Sequence, residues 1–563
     1  METYLSARRE SWLSWFLKGI LYVGFLVLIT RLFELQVVKG NYFRSLSEGN
    51  RIRRVPITAA RGNIIARGGE ILVGNRLVGR KVIFDPIEGY KKLNEFSEIN
   101  EDEIIMEWVR NYEIGERFAH ISGYLGEVNE NEVGKVNPKC QEKGPRLLGS
   151  FTGRTGLEEA YECSLLGIDG EELIEVDSLG NKVRTLGRKD PIPGRDVKTT
   201  IDIGLQKKVS ELYKGVKGAV IVTDTNGEIL ALYSSPSYDP NIFVNSEGSD
   251  EIVQTLENEN KPFFNRAIGG MFHPGSVFKP VVAVAVIEEG IVDDNYTYSD
   301  PGVITINSPY GIFSYSNWYY SQYGRKEGEI DLIRAIARST DTFFYKLGEL
   351  LGIEKLDKWA YKFGLGEKTG IDIPGEISGL VPSPEWKEKN RGERWFLGNT
   401  YHMSIGQGDI ALTPLGVNTA IAAIASGGLL CPPHIINTEE SKNFQFPSSE
   451  SQASLISNFQ CKDLEISHET IDMIKKGMLG ACSSGGTGFT FFDFIEKTGI
   501  PVACKTGTAE TEEEGKTHAW FTVFAPVPDP EIVATVLVEK GGEGAYVAGP
   551  IAREIFNYWF LER

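Results

Sequence analysis

Apolar and polar positions change their spacing several times along the chain, and each change predicts a different element. The first is a continuous apolar run, Trp12 to Thr30, reading WLSWFLKGILYVGFLVLIT. That is about one bilayer span, roughly 20 residues. Lys18 interrupts the run near one end, where a long side chain can reach the headgroups, and Trp12 and Trp15 suit the same interface. A buried core helix or a cleaved signal peptide would share part of this pattern. No small-x-small cleavage site follows, however, and Arg31, Glu34 and Gln36 continue a helical spacing. An uncleaved signal anchor is therefore expected. Basic residues flank both ends (Arg8 and Arg9 before; Arg31, Lys39 and Arg44 after), so charge alone does not orient it.

After the anchor the chain alternates short β-like runs with turns. Arg53 to Thr58 leads into Ala60 to Leu72, where Gly68-Gly69 divides two apolar runs as a hairpin turn would. A polar, helix-like stretch is expected from Asn94 to Asn111, and Gly153 to Glu162 reads as a loop entering a helix. Nothing here suggests catalysis; the segment reads as a spacer and docking module. From Lys217 to Ser234 two apolar runs flank Asp224-Thr225-Asn226-Gly227, a strong hairpin signal. Three more strand-like runs lie far downstream, at Val502–Glu510, His518–Ala525 and Glu531–Glu539. Helical segments lie between these ends, among them Leu332–Ala337, Tyr345–Gly352 and Ile353–Phe363. Strands at both ends with helices between predict an α+β fold whose terminal strands join one antiparallel sheet.

Composition narrows the function. A chain of 563 residues is expected to form two or three folded units. Its net charge of -18 argues against a nucleic-acid partner. The six cysteines, Cys140, Cys163, Cys431, Cys461, Cys482 and Cys504, are widely spaced with no C-x-x-C, and the histidines form no H-E-x-x-H. No metal site or cofactor is expected, nor a disulfide framework beyond one incidental bridge.

Candidate chemistry begins at His273-Pro274-Gly275-Ser276-Val277-Phe278-Lys279-Pro280. Pro-Gly gives a turn, Ser276 then starts a helix, and Lys279 falls on the same helical face. A desolvated lysine can activate a serine nucleophile. Alone the pattern is weak, since a capping serine beside a solvated lysine looks the same. Ser339-Thr340-Asp341 follows between two helical patterns, where an N-cap cluster would look alike. Lys-Thr-Gly occurs three times, at 368–370, 497–499 and 505–507. Only Lys505-Thr506-Gly507 ends a strand-like run and continues extended into Thr508; the other two read as turns. On a sheet edge these residues could hold a carboxylate, and a backbone N–H near Thr508 could stabilise an oxyanion.

Ser-x-x-Lys, then Ser-x-Asp, then strand-borne Lys-Thr-Gly is the order found in penicillin-recognising serine enzymes. With it the whole chain resembles the class B penicillin-binding proteins, and within them the elongation type, penicillin-binding protein 2. Arg61-Gly62-Asn63-Ile64 and Arg154-Thr155-Gly156-Leu157-Glu158 resemble the family's pedestal motifs; Ser404-Ile405-Gly406-Gln407-Gly408 and His518-Ala519-Trp520-Phe521 resemble parts of its catalytic domain. Pro384-Glu385-Trp386-Lys387 with Trp395, and Asp341 in place of an asparagine, point to the elongation type.

The resemblance implies a cytoplasmic tail over 1–11, a transmembrane anchor over 12–33, an elongated β-rich pedestal with a shortened head over 34–195, and a transpeptidase domain over 196–563 built on a five-stranded antiparallel sheet flanked by helices. It implies catalysis by Ser276, Lys279, Ser339 and Asp341, and substrate binding by Lys505, Thr506, Gly507 and Thr508. Ser276 would attack the penultimate D-Ala carbonyl of a stem peptide, with Lys279 taking its proton and Ser339 relaying the proton to the leaving amine. The implied partners are peptidoglycan stem peptides, β-lactams, the membrane, a SEDS-type glycan polymerase and elongation-complex scaffold proteins. The catalytic body would lie outside the cytoplasmic membrane. Three departures stand out: Cys504 where a glycine is usual, His273 where an aromatic is common and a packing role is expected ahead of tuning the pH dependence, and a short segment between Asp85-Pro86 and Arg117.

Overall fold

The computed structural model describes residues 12–85, 89–93, 104–177, 182–245, 249–437 and 459–563. They divide into two compact units. The first comprises Met1–Ala59, Leu77–Trp108 and Ile168–Ile192; the second comprises Ala60–Arg76, Val109–Gly167 and Pro193–Arg563.

In the first unit the apolar run forms α1, Trp12–Phe33, long and apolar enough to cross a membrane and with no buried residue. An all-round apolar helix needs an apolar surround on every side. The helix continues through a wider turn, Glu34–Val38, into Gly40–Arg51. Beyond it Ile52–Ile57, Gly170–Val176 and Lys182–Lys189 make a three-stranded antiparallel sheet, with Ile57 opposite Gly170 and Glu171 opposite Lys189. The expected Asn94–Asn111 helix is not formed: Ile104–Tyr112 is a strand, and 94–103 lie outside the described residues. Ile104, Ile105, Trp108, Val109 and Tyr112 are strand formers, and pairing in a sheet overrides the weak helical spacing of the polar positions. Within the short segment between Asp85 and Arg117, residues 86–88 and 94–103 lie outside the described residues.

The second unit opens with the expected hairpin, Ile65 pairing Ile71 across Gly68-Gly69, while Val197-Lys198 runs parallel to Ile64-Ile65. Beside it sits a buried ionic cluster. Arg61 Nη2 donates to Glu158 Oε2 at 2.7 Å, and Arg110 Nε donates to Glu158 Oε1 at 2.6 Å. Glu162 also accepts from Arg61. Burial pushes the Glu158 carboxyl up, but the two guanidinium groups outweigh it and hold its pKa below the ordinary value.

The larger part of the second unit is the expected α+β layer fold. Its sheet contains β1 (Gly218–Thr223), β2 (Ile229–Ser235), β3 (Ala503–Glu510), β4 (Thr517–Ala525) and β5 (Ile532–Val538), in the spatial order β2-β1-β5-β4-β3. Every pairing is antiparallel: Val220 and Phe521 lie opposite Val536, and Lys505 lies opposite Thr522. Because side chains alternate across a sheet, the strands feed two cores. Trp520, Val533 and Leu537 face one, with residues of α3 (Lys279–Glu288), α6 (Pro414–Ala425) and α7 (His468–Ala481). Phe521, Ala534 and Val536 face the other, with residues of α2 (Ile203–Leu212) and α8 (Gly544–Asn557). Between α3 and α6 the chain also forms α4 (Leu332–Arg338) and α5 (Asp341–Leu351).

The cysteines correct the sequence-based expectation. All six pair, as Cys140–Cys163, Cys431–Cys461 and Cys482–Cys504, with Cα separations of 5.5, 4.0 and 5.7 Å. Each bridge closes a short loop of an already large domain. Wide, irregular spacing therefore says little about pairing where the fold, rather than the bridges, supplies the core.

Candidate active site

Pro274 and Gly275 turn the chain into a 3-10 turn, Gly275–Phe278, from which α3 begins at Lys279. Gly275 has φ +57°, and a Cβ there would lie 2.8 Å from Thr508 O, so only glycine lets this turn approach β3. Gly275 N–H donates to Gly406 O at 2.8 Å, fixing the turn from the other side. Ser276 is left half-buried at the wall of a cleft of about 1160 Å³.

Lys279 lies beneath it, fully buried. Its Nζ donates to Asp341 Oδ1 at 2.7 Å, to Ser339 O at 2.8 Å and to Ser339 Oγ at 3.2 Å. Ser339 ends α4 in the left-handed region, φ 57°, an uncommon backbone state for a residue with a side chain. That geometry turns both its carbonyl and its hydroxyl toward the lysines. Asp341 stands at the first turn of α5, where a carboxylate suits the helix dipole.

From the opposite wall, Lys505 on β3 sends its Nζ to the same Ser339 Oγ at 2.8 Å and to Thr506 O at 3.0 Å. Ser339 thus joins the two lysines. Burial lowers the pKa of both. For Lys279 the Asp341 carboxylate opposes that fall; for Lys505 the charge of Lys279 adds to it and takes the pKa well below the ordinary value. Both groups are thereby moved toward the range in which a lysine can exchange protons.

β3 is an edge strand, hydrogen-bonded only to β4 among the described strands. Thr506 Oγ1 bonds Thr487 Oγ1 at 2.8 Å, and Thr508 is exposed at the cleft. A Cβ on Gly507 would lie 3.0 Å from Val277 Cγ1 and 3.1 Å from Pro274 O, which explains a glycine where the strand crosses the serine turn. Of the eight residues expected from sequence, Ser276, Ser339, Asp341, Thr506 and Thr508 line the cleft, Lys279 and Lys505 lie buried behind it on Ser339, and Gly507 packs against the serine turn. The other two Lys-Thr-Gly copies do not join them: Thr369 N–H donates to Glu376 at 2.6 Å in a loop, and Lys497-Thr498 closes a short helix capped by Gly499.

The structure adds residues that the motifs did not indicate. Asn317 Oδ1 accepts the Asp341 N–H at 3.1 Å, and Trp318 N–H donates to Asp341 Oδ2 at 2.9 Å. Thr487 sits in the glycine-rich run Ser483-Ser484-Gly485-Gly486-Thr487-Gly488, a signal that was available in the sequence. Cys504 directly precedes Lys505, and its bridge ties β3 to the residue ending α7. His273 is half-buried at the cleft, its Nδ1 hydrogen-bonded to Ile410 O at 2.6 Å while its own carbonyl accepts from Trp520 Nε1 at 2.9 Å.

Comparison with known proteins follows the same outline. Residues 217–557 match the penicillin binding protein transpeptidase domain, and residues 87–199 match the penicillin-binding protein dimerisation domain. The peptidoglycan D,D-transpeptidase MrdA of Acinetobacter baumannii is 32% identical over 97% of this chain and 87% of that protein. The chain belongs to the class B penicillin-binding proteins of the elongation type. Its family activity is that of a peptidoglycan D,D-transpeptidase of cell-wall synthesis. Among solved structures, Pseudomonas aeruginosa PBP2 in complex with WCK 5153 is 31% identical, with TM-score 0.71, over 90% of this chain and 97% of that one. Helicobacter pylori PBP2 in complex with MreC is 26% identical, with TM-score 0.74, over 90% and 98%. The apolar N-terminal helix is consistent with a single-pass membrane protein, as this class B member would be.

Proposed function

We propose that Ser276 is the nucleophile of this transpeptidase and that Lys279, Ser339 and Asp341 manage its proton. The single observation that carries this is the joining of both buried lysines through the Ser339 hydroxyl, beside the turn that presents Ser276. With its proton released, Lys279 accepts the one on Ser276 as the serine oxygen attacks the penultimate D-Ala carbonyl of a stem peptide. The N–H groups of Ser276 and Thr508 stabilise the oxyanion. Ser339 passes the proton to the leaving amine and D-alanine departs. The amine of a neighbouring stem then attacks the acyl-enzyme, forming the cross-link and regenerating the serine.

The substrate is held along the free edge of β3. An extended peptide can add to such an edge through main-chain hydrogen bonds. Lys505, Thr506 and Thr508 receive the terminal carboxylate, with Gly507 leaving the strand room against the serine turn. A β-lactam offers the same carbonyl and carboxylate, stops at the acyl-enzyme and acylates Ser276.

The catalytic body works outside the cytoplasmic membrane, anchored by residues 12–33 and carried on the 34–195 pedestal, with the transpeptidase domain over 196–563. Three disulfides support this side, since such bonds persist in oxidising compartments and are rare in the cytosol. The solved relatives include a PBP2–MreC complex and a peptidoglycan synthase complex that coordinates polymerization and crosslinking. By analogy the anchor and pedestal engage a SEDS-type glycan polymerase and a scaffold protein of the elongation complex.

The test supplies the purified full chain with glycan strands bearing pentapeptide stems. Cross-linked dimers and free D-alanine should form with the wild type and with neither product from Ser276→Ala. D-alanine released without dimers would identify a carboxypeptidase instead. Neither product from a folded wild type would favour a non-catalytic scaffold.

A further inference from the structure

The Asp341 carboxylate is held by more than Lys279, and the additional grip comes from outside the three motifs. A hairpin, Val303–Ser308 with Gly311–Ser316, delivers the chain to Asn317 and Trp318 beside the first turn of α5. Helix-starting N–H groups have no intrahelical acceptor, and the N-cap residue Thr340 makes no side-chain cap bond. Asn317 supplies the missing acceptor, its Oδ1 taking the Asp341 N–H at 3.1 Å. The next residue, Trp318, gives its N–H to Asp341 Oδ2 at 2.9 Å and its indole N–H to Arg338 O at 2.9 Å. Lys279 occupies the other carboxylate oxygen at 2.7 Å.

Asn317 is in turn fixed from behind. It is fully buried, and its Nδ2 donates to Asp300 Oδ2 at 3.1 Å. Asp300 is itself 3% exposed and accepts three further hydrogen bonds: from Glu327 N–H at 2.9 Å, Gly302 N–H at 2.8 Å and Thr342 Oγ1 at 2.6 Å. A carboxylate only accepts and a backbone N–H only donates, so one orientation of the Asn317 amide satisfies both sides. Neither Asp300 nor Asn317 reaches the reacting atoms.

We propose that Asn317, anchored by Asp300, is a positioning residue for acyl transfer, seating Asp341 so that its carboxylate holds Lys279 against Ser339. This rests on the roles assigned above to Ser276, Lys279 and Asp341. Asn317→Ala leaves the Asp341 N–H without its acceptor and takes from Asp300 Oδ2 one of its two donors, the Glu327 N–H remaining. Asp300→Asn puts an NH2 where a carboxylate oxygen accepts two of the four donors. Thr342→Val is the comparison, because it also removes one bond to Asp300 but the lost hydroxyl makes no hydrogen bond to Asp341.

The experiment follows labelling of the full-length protein by a fluorescent penicillin over a concentration series, which separates the acylation rate constant from the dissociation constant of the initial complex. Asn317→Ala and Asp300→Asn should each slow acylation about tenfold or more, the scale of one lost hydrogen bond to a charged group, with the dissociation constant within about threefold. Thr342→Val should keep its rate within about threefold. A merely structural role predicts equal losses from Asn317→Ala and Thr342→Val, and that result overturns the proposal. So does an Asn317→Ala rate within about threefold of wild type, or a loss confined to the dissociation constant. If Asn317→Ala does not fold, Asp300→Asn carries the same criteria. No label on Ser276 of the wild type would instead bring down the acyl-transfer assignment, and this one with it.

Discussion

Replacing both Cys482 and Cys504 with alanine removes a bond that ties the edge strand β3 to the end of α7, one residue before Lys505. The two cysteines are 22 residues apart in sequence. In the chain-entropy description a loop of that length restrains the unfolded state by about 3 kcal/mol at 25 °C. Both positions are buried, so the sulfurs also leave a small packing deficit. Each kcal/mol moves the melting temperature of a large domain by about 2 °C, which sets the expected fall at roughly 6 °C. The assay is thermal unfolding of the double variant beside the wild type under non-reducing conditions. The site itself should be damaged less than the stability. Lys505 remains paired with Thr522 on β4, and its Nζ remains bonded to Ser339 Oγ at 2.8 Å. Acylation by penicillin should therefore slow by less than about tenfold, the scale of 1.4 kcal/mol in a barrier. An unchanged melting temperature would refute the stabilisation, and loss of all acylation in a folded sample would show that the bridge, not the β4 ladder, holds the strand.

Asp341→Asn removes the charge that opposes the burial-driven fall in the Lys279 pKa, so the acid limb of the acylation rate-against-pH profile should move to lower pH. Glu158→Ala leaves Arg61 and Arg110 facing one fewer carboxylate in a buried cluster and should cost about 3–5 kcal/mol, read from chemical unfolding. His120, buried and hydrogen-bonded to Pro262 O, has its pKa pushed down to about 4 by burial. The unfolded chain then binds the proton more tightly than the folded one, so stability is complete above the unfolded value near 6.5 and is lost as pH falls toward 4. The loss should reach about 3 kcal/mol, and His120→Asn should flatten that part of the stability–pH curve.

The catalytic sheet was legible because β1, β2 and β5 are largely apolar runs bounded by turn residues. Asn226-Gly227 marked the first hairpin, and Lys505-Thr506-Gly507 stood out from its two copies because only it extended a strand. Ser276 and Lys279 were legible through their spacing. Asp300, Asn317 and Trp318 were not, because they act from irregular chain around a hairpin and meet Asp341 only through tertiary folding. Asn94–Asn111 reads as helix because its polar positions carry helical spacing, while the place of Ile104–Tyr112 in a sheet depends on distant residues. Cysteine pairing failed for the same reason: Cys482 and Cys504 meet because α7 ends behind β3, which no spacing records.

The most direct test of the whole account is mass spectrometry of the full-length protein after exposure to a penicillin, beside Ser276→Ala. A stable adduct mapped to Ser276 and absent from the variant is the predicted result. An adduct on another residue, or none on a folded wild-type sample, would contradict the assignment of Ser276 as the nucleophile.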